Sequence, residues 1–224
     1  IMLCEVAEEA TYVKHHQKKL VFIFSAMRHF AEVLRADGFQ VHYVTLEQAG
    51  NTGTFSGEIK RAVERYKPDK VIVTEASEYR VVQDMKSWQK TLGIKLEIRP
   101  DRRFLCSHKG FNDWAKGRKQ LRMEYFYREL RKSYQILMDG DLPIGGQWNY
   151  DAENQKPLPE TVNIPETYRL APDVITQKVI KMVSERFSDH FGDIDDFHYA
   201  VTRQQALDAL KQFVETRLTL FGDY

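Results

Sequence analysis

Short β-rich runs alternate with helical patterns through the first hundred residues, and this alternation constrains the fold more than any other feature. Between the strand-like runs, apolar residues recur every three or four positions, as amphipathic helices require. Strands joined by such helices form parallel sheets with right-handed crossovers. The sequence therefore predicts an α/β fold with a doubly wound, Rossmann-like parallel sheet. The strand-like runs are Ile1–Glu5, Val41–Val44, Val71–Thr74 and Leu96–Ile98.

Three helices are predicted between and after these strands. The first carries an apolar stripe from Leu20 to Leu34 and is closed by Asp37-Gly38. The second spans about Phe55–Tyr66, and the third spans Ser77–Leu92 with Gly93 at its end. Glycine enters the left-handed conformation easily, which makes it a common helix terminator.

The composition changes between about Met138 and Pro172, where five of the seven prolines fall. Proline interrupts helices and central strands, so residues 138–172 are predicted to be a linker. Two helical patterns follow, and the second begins with a capping box from Thr202 to Gln205. We therefore predict three parts: an α/β domain at residues 1–137, the linker, and the start of an all-α domain at residues 173–224.

Bulk composition excludes several classes of protein. A net charge of +1 argues against coating nucleic acid by bulk electrostatics, but it leaves a local basic patch open. No apolar run reaches the roughly 18–20 residues of a membrane span. Two cysteines are too few for a disulfide framework or a four-thiolate cluster, and the histidines lack zinc-type spacing. We expect a cytoplasmic, monomeric protein without a metal site, and its abrupt ends indicate a piece of a longer chain.

The most promising place for chemistry is the carboxyl end of the first strand, because parallel sheets bind ligands at that edge. A carboxylate and a phenol there could hold a polar heterocycle, with Ile23 or Phe24 as an apolar wall. The alternative is that the acidic residues only complement the positive end of the helix that follows. The polar candidates are Cys4, Glu5, Glu8, Glu9 and Tyr12. Nearby, Asn51–Gly57 is interpreted as a turn with a Thr or Ser helix cap rather than an anion cradle.

A basic and aromatic stretch, Gly117–Lys132, concentrates positive charge in a nearly neutral chain. One interpretation is an amphipathic helix whose charges are merely solvated, since Met123, Phe126, Tyr127, Leu130 and Tyr134 form an apolar stripe. The other is a surface for phosphate-bearing or planar partners. Exposure of Arg118 and Arg122 without acidic neighbours would favour the second.

Several long motifs resemble one prokaryotic family, the iron–sulfur cryptochromes and photolyases. They are spread over nearly the whole chain and occur in order, so chance similarity is excluded. The motifs are Cys4–Val13 followed by His15-His16, then Phe24–Ala31, Arg102–Leu105, Gly117–Arg128 and Gly145–Asn154.

The resemblance implies an amino-terminal antenna domain that binds 6,7-dimethyl-8-ribityllumazine, and a helical domain that binds FAD and a 4Fe-4S cluster. Matched position by position, Cys4, Glu9, Tyr12 and Ile23 correspond to the antenna pocket. The family's first strand and its Gly-Asp-Gln turn, which would precede Ile1, are absent, so one wall of the pocket would be lost. The flavin site and the cluster cysteines are absent too, and we expect no catalytic residue in this segment.

The function implied by the resemblance is that of a segment of a light-dependent DNA repair enzyme, a (6-4) photolyase acting on UV-damaged DNA. The antenna would pass excitation to FAD. Four cations, Arg118, Lys119, Arg122 and Arg128, would reach DNA phosphate or an interface between domains. Two alternatives stay open: a blue-light-sensing cryptochrome with a signalling role, and a stand-alone α/β module that binds a small molecule.

Overall fold

The alternating pattern of the sequence becomes short strands and longer helices in the structure, a computed structural model that describes residues 1–223. Four strands form parallel pairs: β1 (Met2–Cys4), β2 (His42–Val44), β3 (Lys70–Thr74) and β4 (Lys95–Arg99). The helices are α1 (Ala7–Thr11), α2 (Gln17–Ala36), α3 (Phe55–Tyr66), α4 (Tyr79–Leu92), α5 (His108–Ala115), α6 (Met123–Tyr134), α7 (Val174–Arg186) and α8 (Arg203–Thr216). The predicted mixture of helices and parallel strands is confirmed.

The strands do not form one continuous sheet. β1 pairs with β2, with Met2 opposite His42, and β3 pairs with β4, with Lys70 opposite Lys95. Each pair is a separate two-stranded sheet, joined by α1 and α2 in the first case and by α4 in the second. The doubly wound Rossmann-like arrangement is therefore not confirmed, because each strand has a single hydrogen-bonded neighbour in the part of the chain described.

The helix ends follow the local sequence signals. Thr54 accepts a hydrogen bond from Gly57 N at the start of α3, which confirms a capped turn there. The predicted capping box of α8 is present, since Thr202 and Gln205 bond to each other's backbone N–H groups. Gly93 closes α4 with φ +62°, a conformation that glycine adopts without strain.

The chain divides into two compact units. Unit 1 comprises Ile1–Pro68 and Leu158–Gly222, and unit 2 comprises Asp69–Pro157, to which Asp223 also belongs. The segment predicted as a linker contributes to both units. It contains an antiparallel hairpin, β5 (Met138–Asp139) with β6 (Leu142–Pro143), and a 3-10 turn at Asp151–Glu153, but no α-helix.

The core of unit 1 forms where α2 packs against α7. The buried stripe of α2 meets an equally apolar face of α7, and Phe24 stacks on Phe187 with ring centroids 6.5 Å apart. Residues far apart in sequence thus share one core, which neither stripe could specify alone. The buried cluster comprises Ala10, Leu20, Val21, Phe24, Leu46, Val179, Met182, Val183, Phe187, Phe197 and Val201.

Unit 2 has a smaller core. Val81, Met85 and Trp88 are its buried apolar residues, and all three lie on one face of α4. Trp88 Nε1 donates to Asp84 Oδ2 at 3.1 Å, so the indole is buried with its polar atom satisfied. None of the helices in residues 1–223 is long and apolar enough to cross a membrane.

Replacing Phe24 with Ala should lower the free energy of unfolding of unit 1 by about 3–5 kcal/mol, the usual loss for a buried phenylalanine. Phe24 is 5% exposed, whereas Phe30 on the same helix is 52% exposed and serves as the matched control. Phe30→Ala should change stability by no more than about 0.5 kcal/mol. All three tryptophans lie in unit 2, so unfolding is followed by far-ultraviolet circular dichroism. Equal losses in both variants would contradict the α2–α7 core.

Candidate functional site

The candidate site lies where β1 and β2 end side by side, because Cys4 is opposite Val44 in the parallel register. Beyond β1 the chain turns through Glu5 and Val6 into the short helix α1. Beyond β2 it enters the loop from Thr45 to Thr54. The two segments are joined by backbone hydrogen bonds, Glu5 N to Val44 O and Glu8 N to Gly53 O, both at 2.9 Å.

The Glu5 carboxylate is the polar centre of this region. It is buried and accepts hydrogen bonds from Arg28 Nε at 2.7 Å and Arg28 Nη2 at 3.0 Å. Tyr43 OH donates at 2.7 Å, and Leu46 N donates at 3.0 Å. Burial and the neighbouring Glu5 raise the pKa of Tyr43, so its hydroxyl keeps the proton that it donates. Four elements of the chain thus meet on one carboxylate.

Asn51 and Glu58 fix the loop that faces α1. Asn51 Nδ2 donates to Glu5 O and to Thr45 O, each at 2.8 Å. Glu58 is buried and accepts from Thr52 N at 2.6 Å and from Arg61 Nη1 at 2.8 Å. Burial opposes its charge, but the hydrogen bonds from Thr52 and Arg61 prevail and lower the pKa of Glu58. The loop from Thr45 to Thr54 is therefore held in place by the side chains of Asn51, within the loop, and Glu58, in α3.

Cys4 lies at the end of β1 and is partly buried. Burial, followed by the negative charges of Glu58 and Glu5, raises the pKa of the Cys4 thiol to about 12. The thiol is therefore neutral at physiological pH, and it contributes a small apolar surface with a weak donor rather than a nucleophilic thiolate.

His15, a residue that was not among the predicted site residues, contacts the Tyr12 ring and the backbone carbonyl of Glu9. The Tyr12 ring meets the His15 ring edge to face, with centroids 5.4 Å apart. His15 Nε2 lies 3.1 Å from Glu9 O, and Lys19 Nζ lies 3.1 Å from His15 Nδ1. The sequence showed this histidine only as part of the His15-His16 motif.

Ile23 lies on the opposite side of α2 from the buried core stripe. Together with Phe22, Phe30 and Val33 it forms an exposed apolar face on this helix. Ile23 is 38% exposed and Tyr12 is 49% exposed. Among the four predicted pocket residues, Cys4 and Glu9 are partly buried, whereas Tyr12 and Ile23 present side-chain surface to solvent.

Two cavities in the described residues lie away from the predicted pocket. One, of about 610 Å³, lies between the segment Arg169–Pro172, helix α7 and the loop Ile194–His198. The other, of about 370 Å³, is lined by residues of α3 and by His42. Within residues 1–223, no group of three or more His, Cys, Asp and Glu side chains is arranged to hold a metal ion.

The basic stretch is only partly helical. α6 begins at Met123, and Lys116–Arg122 forms a loop between α5 and α6, because Gly117 turns the chain with φ +76°. The expected apolar stripe is packed only in part: Phe126 and Leu130 are partly buried, and Phe126 contacts Trp114, whereas Met123, Tyr127 and Tyr134 are exposed. The buried residue of α6 is Arg131, whose guanidinium donates to Ile136 O and Leu137 O.

The four predicted cations differ in their surroundings. Arg118, Lys119 and Arg122 are exposed in the loop. Arg128 is partly buried, forms an ion pair with Glu124 and lies over the Trp148 ring, 5.2 Å from its centroid. Arg128 therefore differs from the other three cations, because it is partly buried and already has partners within unit 2.

The fold and the strand ends define a mixed α/β protein with a buried polar cluster beside a parallel strand pair. The family described as "Deoxyribodipyrimidine photo-lyase-related protein" matches residues 1–199. The chain belongs to this family, which confirms the resemblance seen in the sequence.

Two curated relatives give the comparison detail. A (6-4) photolyase of Agrobacterium fabrum is 50% identical over 222 residues, which is 99% of this chain and 44% of the relative. The chain therefore spans less than half the length of that relative. An uncharacterized protein of Acanthamoeba polyphaga mimivirus is 20% identical over 162 residues, covering 70% of this chain and 80% of the viral protein.

Replacing Arg28 with Met should lower the free energy of unfolding by about 3–5 kcal/mol, because it leaves the Glu5 carboxylate buried without its cation. The double variant Glu5→Gln/Arg28→Met should recover part of this loss, since no uncompensated charge remains. Far-ultraviolet circular dichroism during urea unfolding measures both.

The control for this pair is Glu47→Gln. Glu47 is the exposed second partner of Arg28, at 3.4 Å, so its loss should change stability by less than about 1 kcal/mol. A loss in Glu47→Gln as large as that in Arg28→Met would show that Glu5 is not the dominant partner.

Cys4 should react with thiol reagents at pH 8 more than about a hundredfold more slowly than an ordinary thiol with a pKa of about 8.5, because the thiolate is the reactive form. The measurement uses a Cys106→Ser variant, which retains Cys4 alone. The labelling rate should still rise above pH 10. In urea the same thiol should react at the ordinary rate, and a rate that levels off near pH 8–9 in the folded protein would contradict the raised pKa.

Proposed function

We propose that this chain is a segment of a light-dependent DNA repair enzyme, a (6-4) photolyase, and that it holds the light-harvesting antenna. The observation that carries the proposal is 50% identity over 222 residues to a protein of that name. Membership of the photo-lyase-related family supports the same class. The substrate of the complete protein would be UV-damaged DNA, with the lesion flipped out of the duplex for repair. We further propose a monomer in the cytoplasm.

The antenna in this proposal is 6,7-dimethyl-8-ribityllumazine, bound at Cys4, Glu9, Tyr12 and Ile23. These residues suit a flat ring with a polar edge. Tyr12 and Ile23 offer exposed apolar surface, and Glu9 would supply a carboxylate for the ring's hydrogen-bond donors. The neutral Cys4 thiol adds contact surface without a competing charge.

The chemistry that a bound lumazine supplies is absorption of blue or violet light and transfer of the excitation to FAD. The residues of this chain bind and orient the ring. Glu5 and Arg28 connect the end of β1, which carries Cys4, to α2, which carries Ile23. Their ion pair fixes the position of α2 relative to the end of β1.

FAD and the 4Fe-4S cluster are assigned to the remainder of the longer protein. A four-thiolate cluster needs four cysteines, and this sequence contains two, Cys4 and Cys106. We propose that residues 1–137 form the antenna domain together with a strand that precedes Ile1. Residues 138–172 would link it to the helical FAD domain, which begins with residues 173–224. No residue of the segment would take part in the redox step.

A stand-alone small-molecule-binding module is the second candidate. Its support is the viral relative, of which the matched region makes up 80%. A protein of that size has little chain left for a flavin domain. Purification of the native gene product decides between the two, because the first proposal requires a polypeptide about twice as long as this sequence and the second does not.

The antenna assignment predicts that Ile23→Trp in the full-length protein removes lumazine absorption and leaves FAD absorption intact, because the larger ring fills the pocket. Glu9→Ala should have the same effect through loss of the carboxylate. The measurement is the absorption and fluorescence spectrum of the purified protein. Val33→Trp, a similar enlargement on the exposed face of the same helix, is the matched control and should retain both chromophores.

Survival of the lumazine spectrum in both Ile23→Trp and Glu9→Ala would overturn this pocket. Repair of damaged DNA under blue light separates the photolyase from the cryptochrome alternative. A flavin-loaded protein that restores no lesion would favour the signalling role.

A further inference from the structure

The loop between α5 and α6, Lys116–Arg122, is hereafter the basic loop. It carries four cations in seven residues: Lys116, Arg118, Lys119 and Arg122. No acidic residue occurs between Asp113 and Glu124. All four side chains are exposed. The loop is therefore the densest patch of one sign of charge in unit 2.

Three of the four cations of the basic loop, Lys116, Lys119 and Arg122, lack an ion-pair partner in the described residues, in contrast to many of their neighbours. In the same unit Arg99 pairs with Glu97 at 2.7 Å, and Lys109 pairs with Asp113 at 2.5 Å. Among residues 1–223, no carboxylate forms an ion pair with Lys116, Lys119 or Arg122. Their charge is available to a partner without breaking an existing interaction.

The shape of the loop is fixed before any partner binds. Arg118 Nε donates to Trp114 O at 2.7 Å, and the guanidinium lies over the Trp114 ring, 4.6 Å from its centroid. Trp114 in turn packs on Phe126 of α6, with centroids 4.8 Å apart. The loop is thus anchored to both helices, which reduces the entropy lost when a partner binds.

We propose that the basic loop binds the sugar–phosphate backbone of DNA. This inference rests on the proposed function and adds a surface of this chain that contacts the substrate. Lysine and arginine neutralise the DNA phosphates, and the counterions condensed on the DNA are released. This release favours binding regardless of base sequence. Such contacts fix the position of the protein on the duplex and carry no base specificity.

An acidic protein surface is the rival partner, and the composition of the loop disfavours it. Arginine is common in both kinds of interface, but the two lysines are a residue type depleted in protein–protein interfaces, whereas DNA-binding interfaces are much more positively charged. Arg128 is excluded from the DNA contact, because it already pairs with Glu124 and lies over the Trp148 ring. We assign Arg128 to holding the segment around Trp148 against α6.

The test measures binding of the full-length protein to an undamaged DNA duplex in darkness, as a function of salt. Each phosphate contact contributes a slope of about −0.9 to the dependence of log K on log salt. The variant Lys119→Gln/Arg122→Gln should therefore bind less tightly at low salt, with a slope shallower by about two. Lys119→Arg/Arg122→Lys keeps both charges and should retain the original slope.

The matched control is Lys60→Gln/Lys178→Gln, which removes two exposed cations from unit 1. An equal effect in this control would overturn the proposal, because bulk charge would then explain the binding. An unchanged slope in Lys119→Gln/Arg122→Gln, with a lowered unfolding midpoint, would assign the loop to an interface between domains instead. Because the assay needs no light, its failure is distinct from a failure of antenna binding or repair.

Discussion

The buried carboxylate of Glu5 is the interaction on which the candidate site depends. It joins the end of β1 to α2 through Arg28, to β2 through Tyr43 and to the following loop through Leu46 N. A charge taken out of water is costly unless it is fully paired, so these groups must occupy one arrangement. Hydrophobic packing has no preferred direction, so by itself it allows a helix to shift along a strand. The four hydrogen bonds of the Glu5 carboxylate are directional and do not allow such a shift.

The sequence was sufficient for many of the elements, although not for α5 or the β5–β6 hairpin, and it was insufficient for their packing partners. The α3 boundaries, the capping box of α8 and the left-handed Gly93 follow from local signals, and all are present. The packing of α2 on α7 could not be predicted, because an apolar stripe specifies that a helix buries a face and not what covers it. The sequence likewise identifies strands but not which strands pair. A single doubly wound sheet was expected, whereas the strands form two separate pairs.

The site residues divide in a similar way. Cys4, Glu9, Tyr12 and Ile23 were candidates by position and also matched family motifs; the structure places them at the end of β1, in α1, directly after α1 and in α2. Glu5 was a candidate by position, but nothing in the sequence distinguishes its burial from the exposure of Glu8. Burial of a charge is decided by partners distant in sequence, here Arg28 and Tyr43. The basic stretch was recognised by composition, yet its division into a loop and a helix that begins at Met123 was not predicted.

The paired strands have a consequence for what can bind beside them. In the described residues, β1 and β3 each bond to one neighbour, so each has a backbone edge without a partner strand. Charged side chains discourage edge-to-edge pairing, and Lys70, Glu97 and Arg99 supply them on the β3–β4 pair. The β1 strand, with the sequence Met-Leu-Cys, carries no charged side chain of this kind. The partly buried β1 edge is therefore a place where a further strand can pair, and the strand that we propose to precede Ile1 would occupy it.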